Sequence, residues 1–292
     1  MKKWGFLLLL IFSLLLASIY FEYKSDLTNV KMQIYNPNKI KAEDRRAPEN
    51  SQQINITENQ IYQGNLLLVN SEYPVHKESI KTDVVNLTMH NELTQGYVLL
   101  DSKIYMSKDI AHKFSEIVTD ARKDGIHNFA ITSGFRSFEE QKELYEKYGH
   151  DRALSPGYSE HNLGLSLDVG STQMKMEDAP EGKWIEKNVW KYGFILRYPK
   201  GKSDITGIQY EPWHIRYVGF PHSAIMKGKG FVLEEYLDFL KEKKKVSATV
   251  EGNQYTVSYY PFSENMTINL PKNHKYEISG DNMEGVIVTD NE

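Results

Sequence analysis

Four polar side chains occur at a spacing that suits a metal-dependent hydrolase. His161 and Asp168 lie in the segment GYSEHNLGLSLDVG (157–170), which is otherwise rich in Gly, Ser and Leu, and Glu211 and His214 follow in EPWH. Two imidazoles and a carboxylate are ligands that suit Zn²⁺ and leave one coordination position for water. A second carboxylate beside the ion, rather than on it, can take a proton from that water.

The backbone around Glu211 has to be irregular for this arrangement. On a regular strand, residues three apart point to opposite faces, so Glu211 and His214 could not both face one ion. Pro212 lies between them, and proline favours strand ends and bulges because it has no N–H to donate. We therefore expect a bend at Glu211-Pro212. Taken singly, each of these residues has an ordinary structural explanation, and only their combination favours a metal site.

Hydrophobic alternation predicts the strand that carries Asp168. In LGLSLDVG the leucines point one way, and Gly164, Ser166 and Asp168 point the other way. Further strands are predicted at residues 65–70, 95–106 and 129–134, and in the segments GFILRYP and EPWHIRYVG.

Capping residues predict the helices. Ser107 caps KDIAHKFSEIVTDARKDG, which Gly125 ends, and Ser137 with Glu140 forms a capping box that starts a helix at Phe138. The segments WIEKNVWKYG and GFVLEEYLDFLKEKKK predict two more helices. We expect an α+β fold, in which a central, largely antiparallel sheet is flanked by helices and followed by a small C-terminal β module.

Composition divides the chain into four segments. Residues 1–21 join two lysines to an uncharged stretch that is long enough to cross a bilayer. This predicts a membrane anchor with the rest of the chain outside the cell, or alternatively a cleaved signal peptide. Residues 22–60 are rich in Lys, Asn, Gln and Glu and predict a polar tether. Residues 61–245 then form the main domain, and the short β runs of 246–292 form an appendage.

Charge and cysteine content exclude two classes of function. The net charge of -4 argues against a nucleic-acid partner, which requires a basic surface. The 292 residues include no cysteine, so there is neither a disulfide nor a thiol nucleophile. Any metal site must therefore use His, Asp or Glu.

Three motifs resemble those of a known family. SGFRS (133–137), SEHNLGLSLD (159–168) and EPWHIRYVG (211–219) are similar to motifs of the zinc D,D-carboxypeptidases of the VanY type. That family also contains VanX-like dipeptidases and L,D-carboxypeptidases, and the resemblance extends over nearly the whole chain. It implies that His161, Asp168 and His214 bind Zn²⁺ and that Glu211 is the general base.

The resemblance also gives Arg136 a role in holding substrate. Arg136 precedes a capped helix N-terminus, where an anion is favoured, so it suits either a terminal carboxylate or the polarised carbonyl beside it. A surface salt bridge to Glu139 or Glu140 is the alternative. Gln141 and Ser159 are expected to bind the terminal D-Ala, although Ser159 also suits a turn.

The function implied is removal of the terminal D-Ala from peptidoglycan stem peptides that end in D-Ala-D-Ala. For the family, the consequence is loss of the terminus that glycopeptide antibiotics such as vancomycin bind. Other substrates stay open: tetrapeptides cleaved by an L,D-carboxypeptidase, D-Ala-D-lactate ends, and free dipeptide, which the anchor disfavours. A wall-binding module with a structural zinc is an alternative of another class, and an intact Glu211 and Arg136 argue against it.

Overall fold

This computed structural model of the protein describes residues 30–34, 50–149 and 153–291. The strands are β1 Lys31–Ile34, β2 Ser51–Asn55, β3 Val84–Asn86, β4 Val98–Leu99, β5 Tyr105–Ser107, β6 Phe129–Ser133, β7 Ser166–Ser171, β8 Phe194–Leu196, β9 His214–Tyr217, β10 Lys245–Val250, β11 Asn253–Pro261, β12 Thr267–Pro271, β13 Lys275–Gly280 and β14 Gly285–Asn291. The α-helices are α1 Lys108–Lys123, α2 Phe138–Tyr148, α3 Pro180–Asn188, α4 Ser203–Thr206, α5 His222–Lys229 and α6 Leu233–Lys243. Short 3-10 helices span Glu58–Tyr62, Lys77–Ser79, Leu87–Met89, Asn91–Leu93, Glu160–Asn162 and Val189–Tyr192.

A five-stranded sheet carries two of the predicted site residues, Asp168 and His214. Its strand order is β4-β6-β7-β9-β8, and every pair is antiparallel except β4 with β6. The register places Asp168 on β7 directly opposite His214 on β9 and next to Ser133 on β6. The α+β prediction with a largely antiparallel central sheet is confirmed.

Two serines start the helices that flank this sheet, as the sequence predicts. Ser107 Oγ accepts a hydrogen bond from the N–H of Ile110 at the start of α1. Ser137 and Glu140 form the predicted capping box at the start of α2. The apolar face of α1 is fully buried against the sheet, in one core that also contains Leu163, Leu165, Leu167, Phe129 and Ile131.

Some predicted elements differ in extent or type. Residues 95–106 form two short strands, β4 at the sheet edge and β5 paired with β3. The regular part of β7 begins at Ser166, because Gly164 adopts a left-handed φ of +81° in the turn before it. The helix predicted at WIEKNVWKYG begins earlier, at Pro180, and its last turn is 3-10 before Gly193.

The strand predicted at 65–70 is wrong. Leu66, Leu67 and Leu68 are buried, as a core strand would be, but they pair with no strand. Their backbone groups bond to side chains and to a loop instead. Arg216 Nη2 donates to the carbonyl of Leu67, while the N–H groups of Leu66 and Leu68 donate to Ser279 Oγ and to the Asp281 carbonyl. The burial of this segment was predictable, but its backbone hydrogen bonds go to two side chains and a turn instead of a neighbouring strand.

The C-terminal β strands are present as predicted and also pair with part of the predicted tether. One sheet has the order β1-β10-β11-β14-β13, and a second pairs β12 with β2. Residues 31–34 and 51–55 thus form strands inside the segment 22–60, which was predicted to be solvated throughout. These short polar strands have no core-like pattern of their own, so only their partners reveal them. The four-segment division of the chain stays a prediction.

Within these described ranges, no helix is both long and apolar enough to cross a membrane. The predicted anchor, residues 1–21, lies outside them.

A buried histidine joins the helices to the C-terminal sheet and predicts a pH-dependent stability. His222 is 3 % exposed, and its ring nitrogens lie 2.8 Å from Tyr236 Oη and 2.9 Å from Thr289 Oγ1. Burial lowers the pKa of His222 to about 3. The unfolded chain binds a proton near pH 6.5 that the folded chain does not, so stability is complete above this pH and falls as the pH drops toward 3.

We expect this histidine to contribute a slope of up to about 1.4 kcal/mol per pH unit between pH 6 and 4. Urea unfolding of the wild type and of His222→Gln, followed over this range, measures the contribution. The variant should show a shallower pH dependence. Parallel curves for the two proteins would contradict the assignment.

Candidate metal centre and active site

His161 is held with one ring nitrogen facing the site. It lies on the 3-10 helix Glu160–Asn162, whose N-cap is Ser159. Its Nδ1 is 2.6 Å from the Gly134 carbonyl oxygen, which can only accept. Nδ1 therefore carries the hydrogen, and the lone pair of Nε2 is free to bind a metal.

His161, Asp168 and His214 converge on one point, as the sequence predicts. One ligand atom from each lies within 4.8 Å of the other two. His161 Nε2 is 3.4 Å from Asp168 Oδ2, and His214 Nδ1 is 3.1 Å from Asp168 Oδ1. Both imidazoles are buried, and Asp168 Oδ1 is buried without a hydrogen bond of good geometry. Two nitrogens and an oxygen with an unsatisfied acceptor fit a divalent metal ion.

Asp168 and His214 each favour the charged form of the other. Although burial alone raises the pKa of Asp168, the two histidines beside it hold it below its ordinary value. Burial alone lowers the pKa of His214, but the neighbouring carboxylates of Asp168 and Glu160 raise it to about 9. A metal ion that binds His214 must therefore displace a proton.

Glu211 reaches the same site through the predicted bend. The N–H of His214 donates to the Glu211 carbonyl at 3.3 Å, which closes a turn over Glu211-Pro212-Trp213 before β9 begins. Glu211 Oε2 is 3.7 Å from His214 Nδ1 and remains partly exposed. Burial is the main cause that raises the pKa of Glu211. The carboxylate thus lies beside the ligand set, in contact with solvent, where a proton acceptor is needed.

Arg136 forms the wall of the site next to Asp168. Its Nη2 is 3.8 Å from Asp168 Oδ2, and its Nε and Nη1 donate to Ser133 Oγ and Gln141 Oε1. Its ion pair is thus made inside the site and not with Glu139 or Glu140 at the surface. Gln141 is 1 % exposed and donates to the Leu154 carbonyl as well. Both ends of its amide are engaged by the chain, so Gln141 holds Arg136 in place.

Ser159 is buried and serves as an N-cap. Its Oγ accepts a hydrogen bond from the N–H of His161 at 3.4 Å. The turn role that the sequence allowed for Ser159 is present, and contact with substrate stays a prediction.

A buried charge cluster behind His214 was missed from the sequence. Glu160, Arg197 and Arg216 are each at most 1 % exposed, and Glu160 accepts from both guanidinium groups. A signal was available, because single arginines interrupt the apolar runs GFILRYP and HIRYVG. An arginine in a buried strand needs a partner, and the carboxylate beside His161 was the neighbour to test.

Similarity to known proteins identifies the family. Residues 103–220 match the family described as VanY: D-alanyl-D-alanine carboxypeptidase. A D-alanyl-D-alanine carboxypeptidase from Enterococcus faecium is 60% identical over 291 residues, which cover 99% of this chain and 96% of that protein. The chain belongs to the VanY family. It is therefore a carboxypeptidase of a metallopeptidase family, and a purely structural wall-binding module is not supported.

Two further relatives of this VanY-family chain carry a second activity in their names. A bifunctional D-Ala-D-Ala dipeptidase and carboxypeptidase, VanXYC of Enterococcus gallinarum, is 35% identical over 160 residues, which cover 49% of this chain and 82% of that protein. The crystal structure of the vancomycin-resistance D,D-dipeptidase VanXYg with a D-Ala-D-Ala phosphinate analogue superposes with a TM-score of 0.72 at 32% identity, over 83% of this chain and 99% of that one.

Proposed function

We propose that this chain is a zinc-dependent D,D-carboxypeptidase that removes the terminal D-Ala from peptidoglycan stem peptides ending in D-Ala-D-Ala. The observation that carries the proposal is the convergence of His161, Asp168 and His214 with Glu211 beside them. The 60% identity to the Enterococcus faecium enzyme supports the substrate class. By removing the D-Ala-D-Ala terminus, this activity would contribute to resistance against glycopeptides such as vancomycin.

His161 Nε2, Asp168 and His214 Nδ1 would hold the zinc ion. When bound, zinc supplies a Lewis acid that polarises a carbonyl and lowers the pKa of water to about 7. The protein contributes the orientation of these ligands. The Gly134 carbonyl fixes one imidazole, and the pairing of β7 with β9 places the other beside Asp168.

Glu211 acts as the general base and then as the general acid. Its carboxylate takes a proton from the attacking water and delivers it to the amine of the departing D-Ala. Its raised pKa makes the protonated form a better donor in that second step. Partial exposure gives the carboxylate access to water and to substrate.

Arg136 binds negative charge on the substrate. Its guanidinium faces the metal ligands and can donate to the terminal carboxylate or to the scissile carbonyl oxygen as charge develops there. Gln141 and Ser133 fix its orientation. Direct binding of the terminal D-Ala by Ser159 or Gln141 remains part of the proposal, and the bonds of Gln141 favour an indirect role.

We further propose that residues 1–21 anchor the chain in the membrane and that the catalytic part lies outside the cell, where peptidoglycan is cross-linked. The two lysines before the uncharged stretch support this orientation.

A second candidate activity is cleavage of free D-Ala-D-Ala. The similarity to VanXYg over 99% of that chain favours it, whereas an extracellular location disfavours a cytoplasmic dipeptide substrate.

Four substrates separate these possibilities: a stem pentapeptide ending in D-Ala-D-Ala, the corresponding tetrapeptide, a pentadepsipeptide ending in D-Ala-D-lactate, and free D-Ala-D-Ala. We expect kcat/KM for the pentapeptide to exceed that for every other substrate. Preference for the tetrapeptide would indicate an L,D-carboxypeptidase, and preference for free dipeptide would indicate a dipeptidase. Either result would overturn the proposed specificity.

A further inference from the structure

Among the described carboxylates around the candidate metal site, Glu160 is the most deeply buried and makes no contact with solvent. Its side chain is fully buried, and its two oxygens have separate partners. Oε1 accepts from Arg197 Nε at 2.8 Å and from Arg216 Nη1 at 2.7 Å. Oε2 accepts from Ser166 Oγ at 3.1 Å and lies 3.4 Å from His214 Nε2.

The two arginines are themselves fixed by the surrounding structure. Arg197 donates both terminal nitrogens to the carboxylate of Glu234 on α6, at 2.9 and 2.7 Å. Arg216 Nη2 donates to the carbonyls of Asn65 and Leu67 at 3.0 and 2.9 Å. Glu160 is therefore clamped from one side, which leaves Oε2 directed at His214. The two arginines hold the pKa of Glu160 well below its ordinary value, although burial alone would raise it.

Stability alone does not account for this cluster. Taking charged groups out of water costs free energy that their mutual attraction only partly returns, and apolar side chains of similar volume are often as stable. The carboxylate instead controls one property that the metal site needs. Neutral imidazole carries a single N–H, and a hydrogen on Nε2 leaves Nδ1 of His214 free to face Asp168 and the metal.

We propose that Glu160 is the positioning residue for His214: it accepts the Nε2 hydrogen, selects the metal-binding tautomer and fixes the plane of the ring. The hydrogen bonds from Arg197 and Arg216 hold the Glu160 carboxylate in the orientation that this role requires. The inference rests on the proposed zinc site. Partners of this kind typically change metal affinity 10- to 100-fold when removed.

Glu234 provides a matched control. It is half-buried at the edge of this cluster and pairs with Arg197, and its carboxylate makes no hydrogen bond or ion pair with His214. Glu160→Gln and Glu234→Gln each remove one negative charge from the cluster and preserve side-chain volume. Only the first removes the acceptor that faces His214. The amide oxygen of the glutamine is needed by the two arginine donors, so its NH₂ group faces Nε2.

The experiment measures the zinc dissociation constant of the full-length chain by competition with a chromophoric chelator, together with the Tm of the metal-free proteins. We expect zinc binding to be about 10- to 100-fold weaker in Glu160→Gln and within about three-fold of the wild type in Glu234→Gln. Equal zinc affinity in both variants would overturn the inference while leaving the proposed function intact. Failure of the wild type to bind zinc would overturn both.

A second variant tests the same role if Glu160→Gln does not fold. Ser166→Ala removes only the hydroxyl that donates to Glu160 Oε2 and leaves every charge in place. We expect a smaller loss of zinc affinity, about three- to ten-fold. The visible spectrum of the cobalt-substituted protein should shift as the His214 ring reorients, and an unchanged affinity and spectrum would contradict the positioning role.

Discussion

Glu211→Gln is expected to lower kcat/KM for D-Ala release by about 10²- to 10⁴-fold, which is the usual contribution of a general base. The amide keeps the size of the side chain but cannot accept the proton of the attacking water. Zinc content should be unchanged, because Glu211 Oε2 lies beside the three ligands at 3.7 Å from His214 Nδ1 and is not one of them. Initial rates with the stem pentapeptide and metal analysis of the same preparation measure both effects.

A matched control is Glu139→Gln, which changes an exposed carboxylate in the first turn of α2. It should retain wild-type activity and zinc. If Glu211→Gln lost its zinc together with its activity, the carboxylate would be a ligand, and the general-base assignment would be wrong. Retained turnover in a zinc-loaded variant would contradict it as well.

Removal of residues 246–292 is expected to prevent folding of the main domain. Strands β10, β11 and β14 contribute buried side chains to a core shared with α5 and α6, including Val246, Val250, Val257, Tyr259 and Ile287. Burial of each such side chain contributes about 1.5–3 kcal/mol. Their joint loss therefore matches or exceeds the free energy of unfolding of a typical domain, about 5–15 kcal/mol.

The truncation also removes the end of β13 and the turn after it, which hold the segment 65–68. Ser279 Oγ and the Asp281 carbonyl accept from the N–H groups of Leu66 and Leu68, and Asn282 donates to the Leu68 carbonyl. Circular dichroism and gel filtration of the chain ending at residue 245 should reveal an unfolded or aggregated product. A folded, zinc-binding product with native activity would show that 246–292 is an independent appendage.

The substitution Ser279→Ala is a gentler version of this test. It removes the one hydroxyl that accepts from Leu66 and leaves the core in place. A free energy of unfolding reduced by about 1–3 kcal/mol, with zinc affinity retained, would assign the large effect of truncation to the lost core.

The convergence of His161, Asp168 and His214 with Glu211 beside them was predictable, because a metal site restricts both residue type and spacing. In a chain without cysteine, two histidines and an aspartate at this spacing have few roles other than a metal site. Pro212 indicated the bend that brings Glu211 to His214. The capping box at Ser137 likewise depends only on local sequence. The register that places Asp168 opposite His214 was not predictable in detail, since pairing between strands far apart in sequence depends on the whole core.

The elements that sequence patterns missed depend on long-range partners. The apolar residues of 65–70 suggest a core strand, yet the backbone hydrogen bonds of this segment go to Arg216, to Ser279 at the end of β13 and to the turn after it. Strands β1 and β2 are polar and short, and their ladders are formed with β10 and β12. Glu160 was missed for the same reason, because its partners come from the residue after β8, from β9 and from β7.

The most direct test of the account is D-Ala release by the full-length chain from a stem pentapeptide ending in D-Ala-D-Ala, measured before chelation, after chelation and after addition of zinc. We predict release that the chelator abolishes and that one equivalent of zinc restores, with Asp168→Asn inactive throughout. Release that persists in the metal-free protein, or its absence from a folded protein with one bound zinc, would contradict the central claim.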